Sequence, residues 1–442
     1  MEERQKGLFQ LAFPIFIETM LFMFLGIADI FMLSLYSDEA AGAVGAANQL
    51  LGNINLIFVI ISAGTAVLVA QNAGAKRIDN VERIGSVSLL LNLVIGILIS
   101  SIMFFYGPKI LIKIGVTPDL MVHASDYIKI VGGGLFIQAV LNTVTAVIRS
   151  YGHTRESMII AVTMNIINII GDAVFIFGLF GMPVLGVKGV AVATTFSRAL
   201  AAILALVFMF RSVLSIKMFY RLADGPIAVF LSLFKIGFPS ALENMSYNLA
   251  QTVILSIILL NLGEKAQITR TYVLTIIRFV SIFSIAIGQG SQIMIGQLIG
   301  AGKFDEAYRT GLRNFKIAML CSVSASFIMA LFSKKLIGIY TEDQEIIKMA
   351  VIVLIIDAFL EPGRTFNIVL ISSLRGAGDV IFPVIMAAIS MWGVSVLLAY
   401  ILVVSGSGLP GIWIASLLDE WIRGISMLYR WKGRKWQKEP AK

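Results

Sequence analysis

Asp29 and Asp172 are carboxylates inside long apolar stretches, where an ionised side chain costs about 3 kcal/mol by insertion scales unless it faces protein or water. Glu18 and Asp29 lie eleven residues apart, about three helical turns, and Asn168 and Asp172 lie four apart, so each pair shares one helix face. Asp29 stands about six residues from the outer end of its apolar run and Asp172 about eight from the outer end of its own, so their depths match. Two carboxylates meeting in a dry site could not easily both ionise, and one should hold a proton. Alternatively, the oxygens of Asp29, Asn168, Asp172 and Thr194 could wrap a hard cation such as Na⁺. Plain hydrogen bonding between helices suits Asn168 and Thr194 taken alone, but not the two carboxylates.

Further polar groups stand in equally apolar surroundings. Glu18 and Glu243 follow Pro14 and Pro239 by four residues and could line the cytoplasmic mouth of a cleft. In IIDAFLEPGRTFN, Asp357 precedes Glu361 and Arg364, whose i, i+3 spacing favours an internal salt bridge. Asn48, Gln49, Asn53 and Asn55, then Asn244, Tyr247, Asn248 and Gln251, then Gln289, Gln292 and Gln297 are too many to face lipid. They are expected to line a wet cavity; the substrate-facing set is Glu18, Asn48, Gln49, Glu243, Tyr247, Gln289, Gln292, Glu361 and Arg364. Glycines around the glutamines favour close helix packing. Cys321 is the single cysteine, and with His123 and His153 it forms no zinc-type spacing; no catalytic constellation and no cofactor motif is visible.

The elements that must position these groups follow from composition. Of 442 residues, 58% are apolar and only 14% charged, with mean hydropathy +0.90, which excludes a soluble globular protein. Reading long apolar runs as spanning helices gives twelve: about 8 to 35, 44 to 73, 84 to 106, 122 to 148, 157 to 180, 187 to 210, 227 to 260, 269 to 299, 310 to 332, 346 to 373, 381 to 404 and 410 to 430. The expected fold is an all-α integral membrane protein. Basic residues decide its orientation: with the N-terminus inside, cytoplasmic segments hold 22 Lys and Arg, among them Arg4, Lys6, Lys438 and Lys442, and the opposite segments hold 7. Both termini are therefore expected in the cytoplasm of a bacterial or archaeal cell, and the net charge of +9 faces anionic lipid headgroups rather than nucleic acid. The first run lacks a small-residue cleavage pattern and reads as a retained helix.

The chain also repeats itself. At an offset of 225, Phe13-Pro14 and Glu18 meet Phe238-Pro239 and Glu243; at 226, Gly64, Gln71, Gly74, Ala75 and Asp79 meet Gly290, Gln297, Gly300, Ala301 and Asp305, and Arg149 and Gly152 meet Arg375 and Gly378; at 222, Gly186, Gly189 and Ala193 meet Gly408, Gly411 and Ala415. Six helices per copy place both copies in the same orientation, as parallel repeats about an axis along the membrane normal. The expected organisation is a six-helix lobe over 1–210, a polar cytoplasmic linker over 211–226 and a second lobe over 227–442, with a substrate cleft between the lobes. Asp29 has no acidic counterpart, its equivalent being Ile254, so only the N-terminal copy is expected to serve an ion.

With these features assembled, the whole chain resembles the multidrug and toxic compound extrusion (MATE) family. The matching segments are LAFPIFIETML with Asp29, AQNAGAKRID, GQLIGAGKFDEA, IRSYGHT, LRGAGD, NIIGDAVFIFG and GVKGVAVAT. The resemblance implies outward antiport of cationic or amphiphilic compounds against H⁺ or Na⁺ by a monomer, with the ion carried on Asp29, Asn168, Asp172 and Thr194. The NorM branch adds acids on the seventh and tenth helices; those positions fall on Tyr247 and near Arg364 here, which favours coupling through the N-terminal lobe. A lipid-linked sugar flippase of the same superfamily is the nearest alternative, and would call for a more basic cavity than Arg198, Arg278, Arg364 and Arg423 provide. An intramembrane enzyme is the distant one, for want of a concentrated His, Asp or Cys constellation.

Overall fold

A computed structural model describes residues 7–437; Arg4, Lys6, Lys438 and Lys442 of the orienting charges lie outside them. The described chain is helical, without strands: α1 Leu8–Ser34, α2 Asp38–Gly74, α3 Ile78–Lys113, α4 Pro118–Tyr127, α5 Leu135–Ser150, α6 Thr154–Phe177, α7 Val187–Ser212, α8 Pro226–Asn261, α9 Gly263–Gly300, α10 Phe304–Leu331, α11 Ser333–Gly338, α12 Gln344–Gly376, α13 Ile381–Ser390, α14 Leu397–Leu402 and α15 Gly408–Lys432. Nine described segments are long and apolar enough to cross a membrane, or ten when Pro118–Gly132 and Leu135–Ser150, bent by 46°, count as one span. Two features separate this count from the twelve expected runs. α12 carries Asp357, Glu361 and Arg364 in its middle, and the last two runs fall within one 52-residue stretch, Ile381–Lys432. That stretch turns where Gly406 and Gly408 take φ of +90° and +60°, a backbone that only glycine adopts easily.

The internal repeat is visible in the backbone of its turns. After α2, the N–H groups of Lys76 and Arg77 bond the carbonyls of Ala73 and Asn72; after α9, those of Gly302 and Lys303 bond Ile299 and Leu298, 226 residues on, and Lys76 and Gly302 both take positive φ. The ends of α5 and α12 match likewise: Gly152 bonds Arg149 and His153 bonds Ile148, as Gly378 bonds Arg375 and Asp379 bonds Leu374. These are left-handed closures that cap otherwise orphaned carbonyls of a helix end. Gly186, just before α7, and Gly408, the first residue of α15, match at helix starts rather than helix ends, with φ of +54° and +60°. Side-chain caps start other helices: Ser37 accepts the Ala40 N–H at 3.1 Å for α2, and Asp343 accepts that of Glu345 at 2.8 Å for α12. The Glu345 N–H, and then Lys265, hold the Asp343 carboxyl below its ordinary range.

The chain forms two compact units, Ile17–Phe238 and Met1–Phe16 with Pro239–Lys442. The division runs through α1 and α8 rather than through 211–226. At the start of α1, Leu8, Leu11, Ala12 and Ile15 are buried with Ala286, Ile287, Ile293 and Met294 of α9. At the start of α8, Val229 and Leu233 join the core that holds Leu68 and Val69 of α2 and Val81, Ile84 and Val87 of α3. Residues 211–226 belong to this same unit: Arg221 pairs with Asp79 and Glu82, and Arg83 donates to the Gly225 carbonyl at 2.9 Å.

Glycine makes these crossings possible. A Cβ on Gly237 would lie 1.8 Å from the Ile60 carbonyl oxygen, and one on Gly64 would lie 2.4 Å from that of Leu233. Gly290 meets Ala12 in the matching place of the other unit, at a looser 3.3 Å. Replacing Gly237 by Ala should therefore force the backbones apart and cost about 1–3 kcal/mol, whereas Gly45→Ala, with nothing within 4 Å of its Cβ, should be nearly neutral. Thermal unfolding of the purified variants checks this, and equal losses at both positions would refute the crossing as the cause.

Candidate functional site

In the unit Ile17–Phe238, α6 ends on Gly178 in the left-handed conformation, and its buried stripe carries Asn165, Asn168 and Asp172. Asp172 is 0% exposed, and Asn168 and Thr194 are buried beside it. The Asn168 amide donates to Asp172 Oδ1 and to Thr194 Oγ1, at 3.4 Å each, which ties α6 to α7. Asp29 of α1 is half-buried, and its carboxyl adjoins that of Asp172. Asp29 Oδ1 and Asp172 Oδ2 accept no hydrogen bond from any described residue. Ionised carboxylates only accept, so two of them face to face must be bridged by a proton or a cation to be stable. All four residues expected to hold the ion thus belong to one cluster.

Three neighbours of that cluster were not anticipated in these roles. Tyr127, buried at the end of α4, donates to Asn48 Oδ1 at 3.0 Å and lies within electrostatic range of both aspartates. Arg198, one turn beyond Thr194 on α7, stands within range of Asp29 and Tyr127. Asn165, 3% exposed, has neither amide atom bonded to a described residue. The i, i+4 spacing of Thr194 and Arg198 and the i, i+3, i+7 spacing of Asn165, Asn168 and Asp172 were the available signals.

The residues expected to face substrate are dispersed. Glu18 is buried and pairs with Arg149 at 3.6 Å while accepting from Ser157 at 3.2 Å; Glu243 pairs with Arg375 at 2.6 Å. These are the same pair twice over, since Glu18 and Glu243 lie 225 apart and Arg149 and Arg375 lie 226 apart. Each ties the first helix of a repeat to the helix that ends in the Arg-containing turn. Asn48 is engaged by Tyr127, while Gln49 and Asn53 line a cavity of about 450 Å³ between α2 and the segment 114–120. Tyr247 is exposed, and Gln289 and Gln292 are half-buried on α9, where the Gln292 backbone packs against Gly376.

Glu361 and Arg364 form the expected salt bridge, inside a larger buried network of the unit that contains Pro239–Lys442. Glu361 also accepts from Ser281 of α9 at 3.0 Å. Arg364 reaches Glu420 of α15 at 3.6 Å, and Arg423 bonds both Asp419 and Glu420, at 2.9 and 3.0 Å. Asn367 donates to Glu420 at 2.9 Å, and the Trp413 indole donates to Asp357 at 3.1 Å. The acids of α15, in the short sequence DEWIR, are inconspicuous beside its basic tail. Buried methionines such as Met209, Met218 and Met427 pack in the cores, as ordinary filling does.

The MatE family model matches residues 14–174 and again residues 239–401, two copies that begin at Pro14 and Pro239, 225 residues apart. Uncharacterized transporter YisQ of Bacillus subtilis is 42% identical over 97% of this chain and 94% of its own. A probable multidrug resistance protein NorM of Thermotoga maritima is 27% identical over 99% and 94%. Among solved structures, a MATE protein in the bent conformation superposes with a TM-score of 0.88 at 20% identity, over 97% of this chain and 94% of that one.

The repeated ion pair generates a direct expectation. Arg375→Met leaves the Glu243 carboxylate without its cation in a site where their side chains are only 11% and 21% exposed, and should cost about 1–3 kcal/mol. Arg149→Met should behave alike in its own unit, and the charge-exchanged double variant Glu243→Arg with Arg375→Glu should recover part of the loss. A double-mutant cycle on thermal stability measures this coupling; additive losses would mean that the pair contributes nothing as a pair.

Proposed function

This chain belongs to the MATE family of multidrug efflux transporters, and from that premise we propose that it is a secondary antiporter that exports cationic or amphiphilic compounds in exchange for H⁺ or Na⁺. The observation that carries the reading is the facing pair of carboxylates, half-buried Asp29 and fully buried Asp172, with an unbonded oxygen on each. In this reading the chain crosses the plasma membrane twelve times, with α12 and the two legs of Ile381–Lys432 counted as crossings, and both termini cytoplasmic. Those 52 residues would extend about 78 Å as one straight helix, against about 30 Å of hydrocarbon, so two legs are the physical solution.

The residues present suit either ion. A proton needs only one bare oxygen on each carboxyl and would bridge them as a single O–H···O bond. A sodium ion would take Asp29, Asp172 and the Thr194 hydroxyl, and would require the Asn168 amide to turn its oxygen inward, because its nitrogen now donates to Asp172 and Thr194. Binding of either ion removes the repulsion that separates α1 from α6, and its release restores it. Coupling then follows if substrate and ion favour opposite conformations, in which the lobes open to one side of the membrane or the other. Arg198 near Asp29 supplies a fixed positive charge, so a site with both aspartates ionised keeps one net negative charge and takes up one monovalent cation at a time.

Efflux of a fluorescent organic cation from proteoliposomes, under separately imposed pH and Na⁺ gradients, tests both the activity and the ion. The wild type should respond to at least one gradient. Asp29→Asn and Asp172→Asn should each abolish that response while the protein remains folded. Full gradient-driven efflux in either variant would remove these carboxylates from the coupling step.

A further inference from the structure

We infer that Asp357 and Asp419 form a second proton-loading site, held in the unit that contains Pro239–Lys442 and separate from Asp29 and Asp172. The buried network of α9, α12 and α15 contains four carboxylates, Asp357, Glu361, Asp419 and Glu420, all 6% exposed or less, but only two guanidinium groups, Arg364 and Arg423. Ionised throughout, it would hold two negative charges in excess. Within an apolar surround that excess is expensive, and carboxylates relieve it by taking up protons.

Hydrogen bonding identifies which acids take them. Glu361 has Arg364 and the Ser281 hydroxyl, and Glu420 has Arg364, Arg423 and the Asn367 amide, so both oxygens of each glutamate are engaged. Asp357 receives only the Trp413 indole N–H on Oδ1, and its Oδ2 is bare. Asp419 receives Arg423 on Oδ2, its Oδ1 is bare, and Ser390 adjoins it with an equally unbonded Oγ. A proton bound to Asp419 Oδ1 becomes a donor for that hydroxyl, and one bound to Asp357 Oδ2 neutralises the acid most remote from an arginine contact. Each loading event transfers one proton from solvent water to a carboxylate oxygen, and nothing else changes covalently.

The charged groups around the network do not supply the missing cations. Glu243 of α8 faces Arg423 but is neutralised by Arg375 of α12; Tyr247 of α8 faces Arg364; Arg278 of α9 is exposed. A hard metal ion would need about six converging oxygens, and among the described residues no three acidic, His or Cys side chains converge on one point. Protons need no such convergence.

Infrared difference spectroscopy of the purified protein in lipid nanodiscs, titrated between about pH 5 and about pH 9, tests the site without any transport assay. Protonated carboxyl C=O absorption should be present at low pH and decline as pH rises. Asp357→Asn and Asp419→Asn should each delete one component, and Asp29→Asn with Asp172→Asn should leave both in place. Should either Asn variant fold poorly, Trp413→Phe removes only the indole donor and should shift the Asp357 component. Carboxyl bands that persist unchanged across the titration would show protons locked in place, and their absence at every pH would show permanently ionised acids; either result overturns the inference.

Discussion

A carboxylate in a bilayer-spanning protein can only accept hydrogen bonds, and no water stands in the hydrocarbon to supply them. Every buried acid of this chain therefore needs an arginine, a set of neutral donors, or an exchangeable cation. That constraint sorts the acids into two kinds. Glu18, Glu243, Glu361 and Glu420 have arginine partners and fix one helix against another. Asp29, Asp172, Asp357 and Asp419 each retain a bare oxygen. The division is one of oxygens rather than of partners, since Asp419 keeps Oδ1 bare while Arg423 holds its Oδ2 at 2.9 Å. In the proposed scheme, ion chemistry falls to these four aspartates, each of which keeps one oxygen without a hydrogen bond from a described residue.

The same constraint explains which parts of the fold could be read in the sequence. The turns after α2, α5, α9 and α12 were legible because local backbone chemistry dictates them: a left-handed residue closes each helix, and the same small residues recur 226 positions on. Asp29, Asn168, Asp172 and Thr194 were legible because a polar group is conspicuous in an apolar run and helical spacing assigns it a face. The pairing of Glu18 with Arg149 was not, because the partners lie 131 positions apart and each had a separate local explanation. The acids of α15 escaped for a similar reason. Asp419, Glu420 and Arg423 lie beside a run of basic residues, and only their packing against α12 shows that they face inward. The starts of α1 and α8 read as ordinary members of their own repeats, because the glycines that admit them to the other core carry no local sign of what they meet.

Comparison of the two copies shows what duplication kept and what it released. Turns, crossing glycines and the Glu–Arg pair recur, and all of them set the distance between helices. The positions proposed to take up ions do not recur. Asp29 corresponds to Ile254, which is 1% exposed in an apolar core, while Asp357, Glu361 and Arg364 correspond to Val131, Leu135 and Gln138, of which the first two are also buried. At the offset of 222, Arg198 corresponds to Glu420. One copy thus places Asp29 and Asp172 on the first and sixth helices of this chain and Arg198 on the seventh; the other places acids and arginines together on α12 and α15.

That asymmetry has a physical rationale. Two identical copies would titrate together, so one change of protonation would drive both units at once. On the proposed assignments, separate constellations would respond separately: the pair Asp29 and Asp172 has one nearby guanidinium, whereas Asp357 and Asp419 are embedded in a network already carrying two. The field of a fixed arginine favours the ionised carboxylate, and burial opposes it, so the balance differs between the two settings. A scaffold kept by packing and a charge pattern free to diverge are then complementary outcomes of one duplication. Helix spacing is constrained at every contact, while a buried acid is tolerated wherever a cation, fixed or exchangeable, can meet it.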